Sequence, residues 1–492
     1  MPKRPPNSNR EELANRQWVE EEFGSLDLGD ERLDRRVKKV LGDMGAQPGA
    51  SLPKASGDWS GTKAAYRCLS HEDVEVQALL AAHRVAIVQR AGGERVVLAV
   101  QDTTTLNFST HPQTVGLGPV GNNRDKTVGL LLHSTLVLRE DGQALGLLER
   151  WLHARDPKEF KAGPASARNR QPVGVKESIK WLHSLEATVA AARELEQTQW
   201  INIADREADS YDLFWRLVEL RAAGATSAAA ARVELLVRSQ HNRALHAEEE
   251  RLFGHLAAQE VIGHYRFTVP RQPGKKNREA TLSVRVAEVS LPPPMDQARY
   301  QGRREPLRLW AIQALEENTE EGSSPICWRL LSTLPVRDAA TAILQVQRYS
   351  RRWEIEIFHK TLKSGCQAEA RQLESVERLG RCLLLDMLVA WRVLALSKAG
   401  RGEHVQQSVD VWLEEAQWKA LWCCIHQRTD PPETPPSTAQ AVRWVAQLGG
   451  FLGRRSDGHP GITTLWQGLQ RLDDFTRAYL LFAHPQKDVG NA

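Results

Sequence analysis

The sequence predicts an α/β protein, a mixed sheet with helices on its faces, with helical regions before and after it. Three observations carry this reading. Short aliphatic and β-branched runs alternate with helical stretches from about residue 95 to residue 238. Residues 17–80, and those from roughly 375 to 492, have helical rather than strand periodicity. The chain has 492 residues, too many for one ordinary domain.

The amino-terminal part comes first. Residues 1–12 are polar and proline-rich, and disorder is expected there. From Gln17 to about Leu80 the pattern is helical. Leu33, Val37, Val40 and Leu41 form an apolar stripe with Arg32, Arg35, Arg36, Lys38 and Lys39 around it. Gln47-Pro48-Gly49 ends that helix, and Trp59 to Leu69 begins more. A compact basic helical domain fits this pattern; so does a solvated amphipathic surface.

The central block changes character. Arg95 to Gln101 is a buried-strand run ending on Asp102. His133 to Arg139 is a second strand, Asp141-Gly142 a hairpin turn, and Gln143 to Trp151 a third strand. A helix from Lys176 to Gln197 follows, then a short strand Trp200 to Ala204 ending on Asp205, a helix over Glu207 to Ala222, and a fifth strand, Val233 to Arg238. Between about 240 and 335 the chain is strand-like and basic, with strands at His264 to Val269, Ala280 to Val289 and Leu307 to Leu315. Arg271, Lys275, Lys276, Arg278, Arg303 and Arg304 fall in the joining loops, so this region reads as an insertion. A helix from about Ala339 to Leu362 resumes the α/β unit. The remainder is helical, interrupted where Pro431, Pro432, Pro435 and Pro436 cannot continue a helix.

Composition bounds the function without naming it. Apolar residues make up 41% of the chain, enough for real cores, yet no run of 18 uncharged apolar residues is present to span a membrane. The basic start at Lys3-Arg4 has no apolar stretch behind it, so no secretory signal is expected. Six cysteines without paired CxxC spacing argue against a zinc ribbon or a disulfide framework, and a reducing cytoplasm is the expected home. A net charge of +4 does not by itself identify a nucleic-acid binder. Most of the 15 tryptophans are expected in cores, with a few available for base stacking.

Asp102 and Asp205 each follow a short hydrophobic strand, and residues beyond the carboxyl ends of strands line the crevice of an open α/β sheet. Two carboxylates converging there suit a hard divalent cation such as Mg²⁺, which takes oxygen ligands. A lone strand-end aspartate more often caps a turn. The segment 349–363 adds a third acid. At roughly 100° per residue, Tyr349 and Lys363 lie within about 20° of Glu356 and Arg352 within about 40°, while Glu354 is turned away by about 160°. A tyrosine, an arginine and a lysine on one stripe suit phosphate contacts beside a metal-binding glutamate. An ordinary salt-bridged helix would also read this way, since Arg352 and Glu356 are an i,i+4 pair.

Gln101-Asp102-Thr103-Thr104-Thr105, Asp205-Arg206-Glu207-Ala208-Asp209 and Tyr349-(2)-Arg352-(3)-Glu356-(6)-Lys363 together resemble the signature of the IS-four insertion-sequence transposases, and within them the Tn-five type. Leu26 to Val37 and Ala64 to Leu69 resemble that family's end-recognition domain, and Arg443 to Leu469 its dimerisation region. The resemblance implies a ribonuclease H-like catalytic core over residues 81–374. A helical DNA-binding domain (1–80) would precede it and a helical dimerisation domain (375–492) would follow. It implies that Asp102, Asp205 and Glu356 bind two Mg²⁺ ions, with Mn²⁺ as a substitute. Tyr349, Arg352 and Lys363 would hold phosphates near a DNA hairpin, and the partners would be double-stranded transposon ends, target DNA and a second subunit. A water nicks one strand, the freed 3′-hydroxyl makes the hairpin, a second water opens it, and the ends join target DNA. Trp328, 21 residues before Tyr349, takes the place of the family's stacking tryptophan; core packing is its ordinary alternative.

Arg206 is a candidate phosphate contact or a partner of Glu207 or Asp209, and Arg238 a candidate DNA contact. His359 and Lys360 read equally as surface or packing groups. Cys424 and His426 have no further ligands for a metal. Two other functions remain compatible: a nuclease of the same core type that cuts without joining, and a non-catalytic protein that competes for transposon ends.

Overall fold

The computed structural model describes residues 17–121, 127–158, 177–223, 228–246, 248–269, 278–294, 304–317, 319, 324–402, 405–454 and 457–483. The expectations placed on residues 1–12, Lys176, Arg271, Lys275, Lys276 and Arg303 lie outside these. The amino-terminal region folds as α1 (Gln17–Phe23), α2 (Glu31–Ala46), α3 (Leu52–Ser56), α4 (Trp59–Ser70) and α5 (Val76–Ala91). Asp30 caps α2 by accepting from the Arg32 N–H, and Leu33, Val37, Val40 and Leu41 are buried as their spacing requires. The turn after α2 needs Gly49, with φ +81°, because a Cβ there would lie 2.3 Å from the Gly365 carbonyl oxygen.

One sheet follows. Its strands are β1 (Val96–Asn107), β2 (Gly118–Pro119), β3 (Val128–Arg139), β4 (Ala144–His153), β5 (Gln199–Ala204), β6 (Val233–Arg238), β7 (Gly263–Val269), β8 (Arg278–Leu291), β9 (Leu307–Glu316) and β10 (Cys327–Ser332). They run in the order β2-β3-β1-β5-β6-β10-β9-β8-β7, with β4 also on β3. β1 pairs antiparallel with β3 and parallel with β5, and β5 pairs parallel with β6. Residues 240–335 therefore extend the sheet rather than standing apart from it, because β10 pairs with β6.

Alternation along β1 assigns its faces. Leu98 and Val100 enter the core under α9 (Ala339–Ser350), α10 (Trp353–Lys360) and α11 (Val376–Ala399). Val97 and Ala99 enter the core formed with α6 (Ile179–Ala192), α7 (Tyr211–Ala222) and α8 (Leu252–Ala257). α11 is buried nearly all round, so it is a central helix and not a surface one. The first core also takes in Trp18, Phe23 and Leu41, so α1 and α2 share their packing with the sheet and α11. Neither residue 80, inside α5, nor residue 375, at the cap of α11, marks a break in that core. The carboxy-terminal helices α12 (Glu415–His426), α13 (Thr438–Leu448) and α14 (Ile462–Ala483) close a smaller one. No helix among the described residues is long and apolar enough to cross a membrane.

A buried polar cluster fastens α1 to the hairpin. Glu22 accepts from His83 Nδ1 at 2.5 Å and from Arg90 at 2.6 and 3.0 Å. His83 Nε2 accepts from the Leu147 N–H, and burial holds His83 below its usual range although Glu22 opposes it. Burial alone would raise the Glu22 carboxyl, but His83 and Arg90 outweigh it and hold it at about 2. A depressed carboxylate contributes stability above its usual 4.5 and loses it as pH falls toward about 2. Glu22→Ala is therefore expected to cost about 3–5 kcal/mol in urea unfolding at pH 7, as breaking a buried ion pair does. The deficit should shrink at pH 3; an equal deficit at both pH values contradicts this account.

Candidate active site

The parallel ladder between β1 and β5 ends at Val100↔Ile203. Asp102 and Asp205 each stand two residues beyond that last pair, so the register aims them at one place. Asp205 follows its strand, as expected, and its carboxylate accepts from the Glu207 N–H at 2.9 Å. Asp102 does not end its strand: β1 continues to Asn107 because β3 alone pairs it past that point, from Gln101↔Thr135 to Asn107↔Gly129. Asp102 keeps the parity of Leu98 and Val100 and thus faces α10. There Arg352 donates to Asp102 at 3.0 Å and also bonds Glu356. One guanidinium therefore joins the first acid to the third, while Glu356 stays half-exposed.

The electrostatics agree with that convergence. Burial pushes the Asp102 carboxyl up to about 6; Arg352 opposes this, and the negative charges of Asp205 and Glu356 reinforce it. Asp205 is likewise raised by burial. Among the described residues no group of His, Cys, Asp or Glu is drawn together tightly enough to hold a metal ion, and the Arg352 guanidinium lies between Asp102 and Glu356. The donors are all carboxylate oxygens, and that chemistry fits a hard divalent cation.

The expected single stripe from Tyr349 to Lys363 requires correction. α9 ends at Ser350, α10 starts at Trp353, and a π-turn occupies Thr361–Gly365. Arg351 is drawn to the Glu140 carbonyl at the break, and the wider π-turn changes the rotation per residue. Arg352 and Glu356 remain together. Tyr349 is buried beside the acids, its hydroxyl acted on by Arg352, Arg238 and Asp205. Lys363 lies 3.9 Å from Glu369 and lines a polar cleft of about 450 Å³ with His111, Gln367 and Gln372. Glu354 points elsewhere, as expected, to Lys398.

Other candidates separate likewise. Trp328 is only 5% exposed, inside a cluster with Phe267, Tyr349 and Trp353, so here it packs rather than presenting an open face. Arg238 also donates inward to the Cys327 carbonyl at 3.0 Å. Arg206 is exposed and takes neither suggested acid, because Glu207 pairs with Lys180 and Asp209 with Arg243. His359 is buried, Lys360 exposed, and His426 sits between Trp422 and Trp444.

Sequence reasoning missed two features. Asp209 is a hub, accepting from Ser239, from the Gln240 and His241 N–H groups and from Arg243. The polar run Ser239-Gln240-His241-Asn242-Arg243 directly after β6 was the available signal. The second is a cleft of about 770 Å³ on α4, lined by Arg36, Trp59, Lys63, Tyr66, Arg67 and Arg378, in which Trp59 is 79% exposed. A tryptophan at the first position of a polar helix marked it.

Residues 15–74 match the family described as Transposase DNA-binding, and residues 388–483 match the Transposase Tn5 dimerisation domain. These two matches support a Tn5-like transposase of the IS-four family. The DNA-binding match of this Tn5-like transposase covers α1 to α4 and most of the basic, aromatic cleft. Its dimerisation match begins within α11 and runs through α14, where Leu481 and Phe482 are exposed. The three acids of the transposase lie between the two matches.

Proposed function

We propose that this transposase cuts and joins DNA at Asp102, Asp205 and Glu356, in a ribonuclease H-like core made of β4-β3-β1-β5-β6. The observation supporting the site is the Arg352 guanidinium bridging Asp102 and Glu356 while Asp205 acts on the same carboxyl. The three carboxylates would hold two Mg²⁺ ions, or Mn²⁺, which would supply activation of an attacking oxygen and charge stabilisation at phosphorus.

The chain's own residues do the rest. Asp102 and Asp205 are fixed by paired strands, so little reorganisation is needed when DNA arrives. Arg352 neutralises the acids before the cation binds and then turns its planar fork to a backbone phosphate. Lys363 and the exposed Arg206 contact neighbouring phosphates as point and fork donors; Arg238 acts through Tyr349, which it orients. Transposition proceeds through a hairpin at the transposon end. Unstacking a base there costs a few kcal/mol, and Trp328 offsets about 1–3 kcal/mol of it once the aromatic cluster opens. The basic cleft on α4 seats the terminal repeat, two chains pair through α12–α14, and the work is done on the nucleoid in a bacterial cytoplasm.

The deciding experiment gives the purified chain pre-cut duplex ends, carrying the DNA that borders its gene, with a target plasmid and Mg²⁺. Joined products are expected. Cutting of uncut ends without joining would favour a nuclease of the same core type, and end binding without cutting would favour an inhibitor.

A further inference from the structure

Directly under the acids lies a run of polar side chains with almost no solvent exposure: Gln101, His133, Ser134, Thr188 and Asn202. Buried polar groups are retained only when satisfied, and apolar residues of similar size would cost the fold less. These groups are satisfied by one another, in two tethers that leave opposite faces of β3.

The first tether lies on the α6 face. Thr103 Oγ1 bonds His133 Nδ1 at 2.9 Å, and His133 Nε2 bonds Gln101 Oε1 at 3.1 Å. Gln101 Nε2 donates to Asn202 Oδ1, and Asn202 Nδ2 donates to Thr188 Oγ1 on α6 at 3.0 Å. The backbone ladder between β1 and β5 stops at Val100↔Ile203. Side-chain bonds from the next residue, Gln101, therefore take over where the backbone lets go, one residue before Asp102 and three before Asp205. The second tether lies on the α10 face. Ser134 is the cross-strand partner of Asp102, and its Oγ lies 3.2 Å from His359 Nε2. His359 sits three residues after Glu356, close to one helical turn, so this bond measures the helix of the third acid against the strand of the first.

The geometry points to His133–Gln101–Asn202 and Ser134–His359 as positioning elements that set the separations of the three acids, the adjacent pair His133-Ser134 serving both. The proposal rests on the acid site proposed above. A displacement of 1 Å at a reacting centre costs about a hundredfold in rate, so loss of either tether is read in chemistry before binding.

The test compares full-length wild type with Ser134→Ala, His359→Leu, His359→Gln, the double variant Ser134→Ala/His359→Leu and Asn202→Leu. The readouts are thermal melting, metal-free affinity for the duplex end, Mn²⁺ binding by electron paramagnetic resonance, and single-turnover nicking. Ser134→Ala, His359→Leu and Asn202→Leu are expected to keep end affinity, to weaken Mn²⁺ binding and to slow nicking by about ten- to a hundredfold. His359→Gln, which retains a hydrogen-bonding group, should regain most of the rate, and the double variant should be no slower than its slower parent. Unchanged Mn²⁺ binding and nicking in Ser134→Ala, or rates that track melting alone with no rescue by glutamine, overturns the tethers while leaving the acid site standing. A wild-type chain that neither binds Mn²⁺ nor nicks overturns both.

Discussion

Glu356→Ala is expected to abolish divalent-ion-dependent cutting, by at least about a thousandfold, the rate equivalent of several kcal/mol of lost transition-state stabilisation. End binding should persist, since the basic cleft on α4 lies in the DNA-binding match and not among the acids. Stability should hardly change. Glu356 is half-exposed, and its ion pair with Arg352 is a near-surface i,i+4 contact of small net worth. Asp102 keeps Arg352 as its partner in the variant. Three assays check this: gel shift without metal, urea unfolding, and cleavage against Mg²⁺ concentration. Retained cleavage removes Glu356 from the site.

Trp328→Ala is the second large effect, and it sets packing against stacking. The indole is buried among Phe267, Tyr349 and Trp353. Truncating a buried tryptophan costs about 3–5 kcal/mol, against about 1–3 kcal/mol for one stacked base. The packing loss therefore dominates, and the urea midpoint should fall sharply. Tyr349 would lose one wall of its packing. Trp328→Phe should recover most of the stability. At a temperature where Trp328→Ala is still folded, hairpin formation should slow more than the first nick. Equal slowing of both steps there assigns Trp328 to packing alone, and an unchanged urea midpoint contradicts its burial.

What was legible in the sequence was local. The run Trp200 to Ala204 is hydrophobic and short, and Asp205 does end it; Asp141-Gly142 does turn a hairpin, with Gly142 at φ +96°. The helical ends were readable from apolar spacing and from the break at Pro48-Gly49. What was not legible depended on partners distant in the chain. β1 runs past Asp102 because β3 pairs it, and nothing in Asp102-Thr103-Thr104-Thr105 announces that partner. The helix over 339–362 breaks without glycine or proline, because Arg348 and Arg351 are drawn to Glu140 in the hairpin. The π-turn leaves no local sign beyond Gly365, which is pressed against Trp466. Strands β7 to β10 looked inserted because their route back into the sheet, β10 on β6, spans about ninety residues. The candidate site was legible as residue types and spacing; that Arg352 would stand between two of its acids was not.

The central claim is that three acids from separate parts of the chain grip one pair of cations. Anomalous diffraction at the manganese edge, from crystals of the full chain with a duplex end and Mn²⁺, tests it most directly. Two peaks about 3.5–4 Å apart, ligated by Asp102, Asp205 and Glu356 with Arg352 swung toward a phosphate, are the expected result. Peaks away from these carboxylates, or Arg352 still clamped between Asp102 and Glu356 with DNA and Mn²⁺ present, would contradict it.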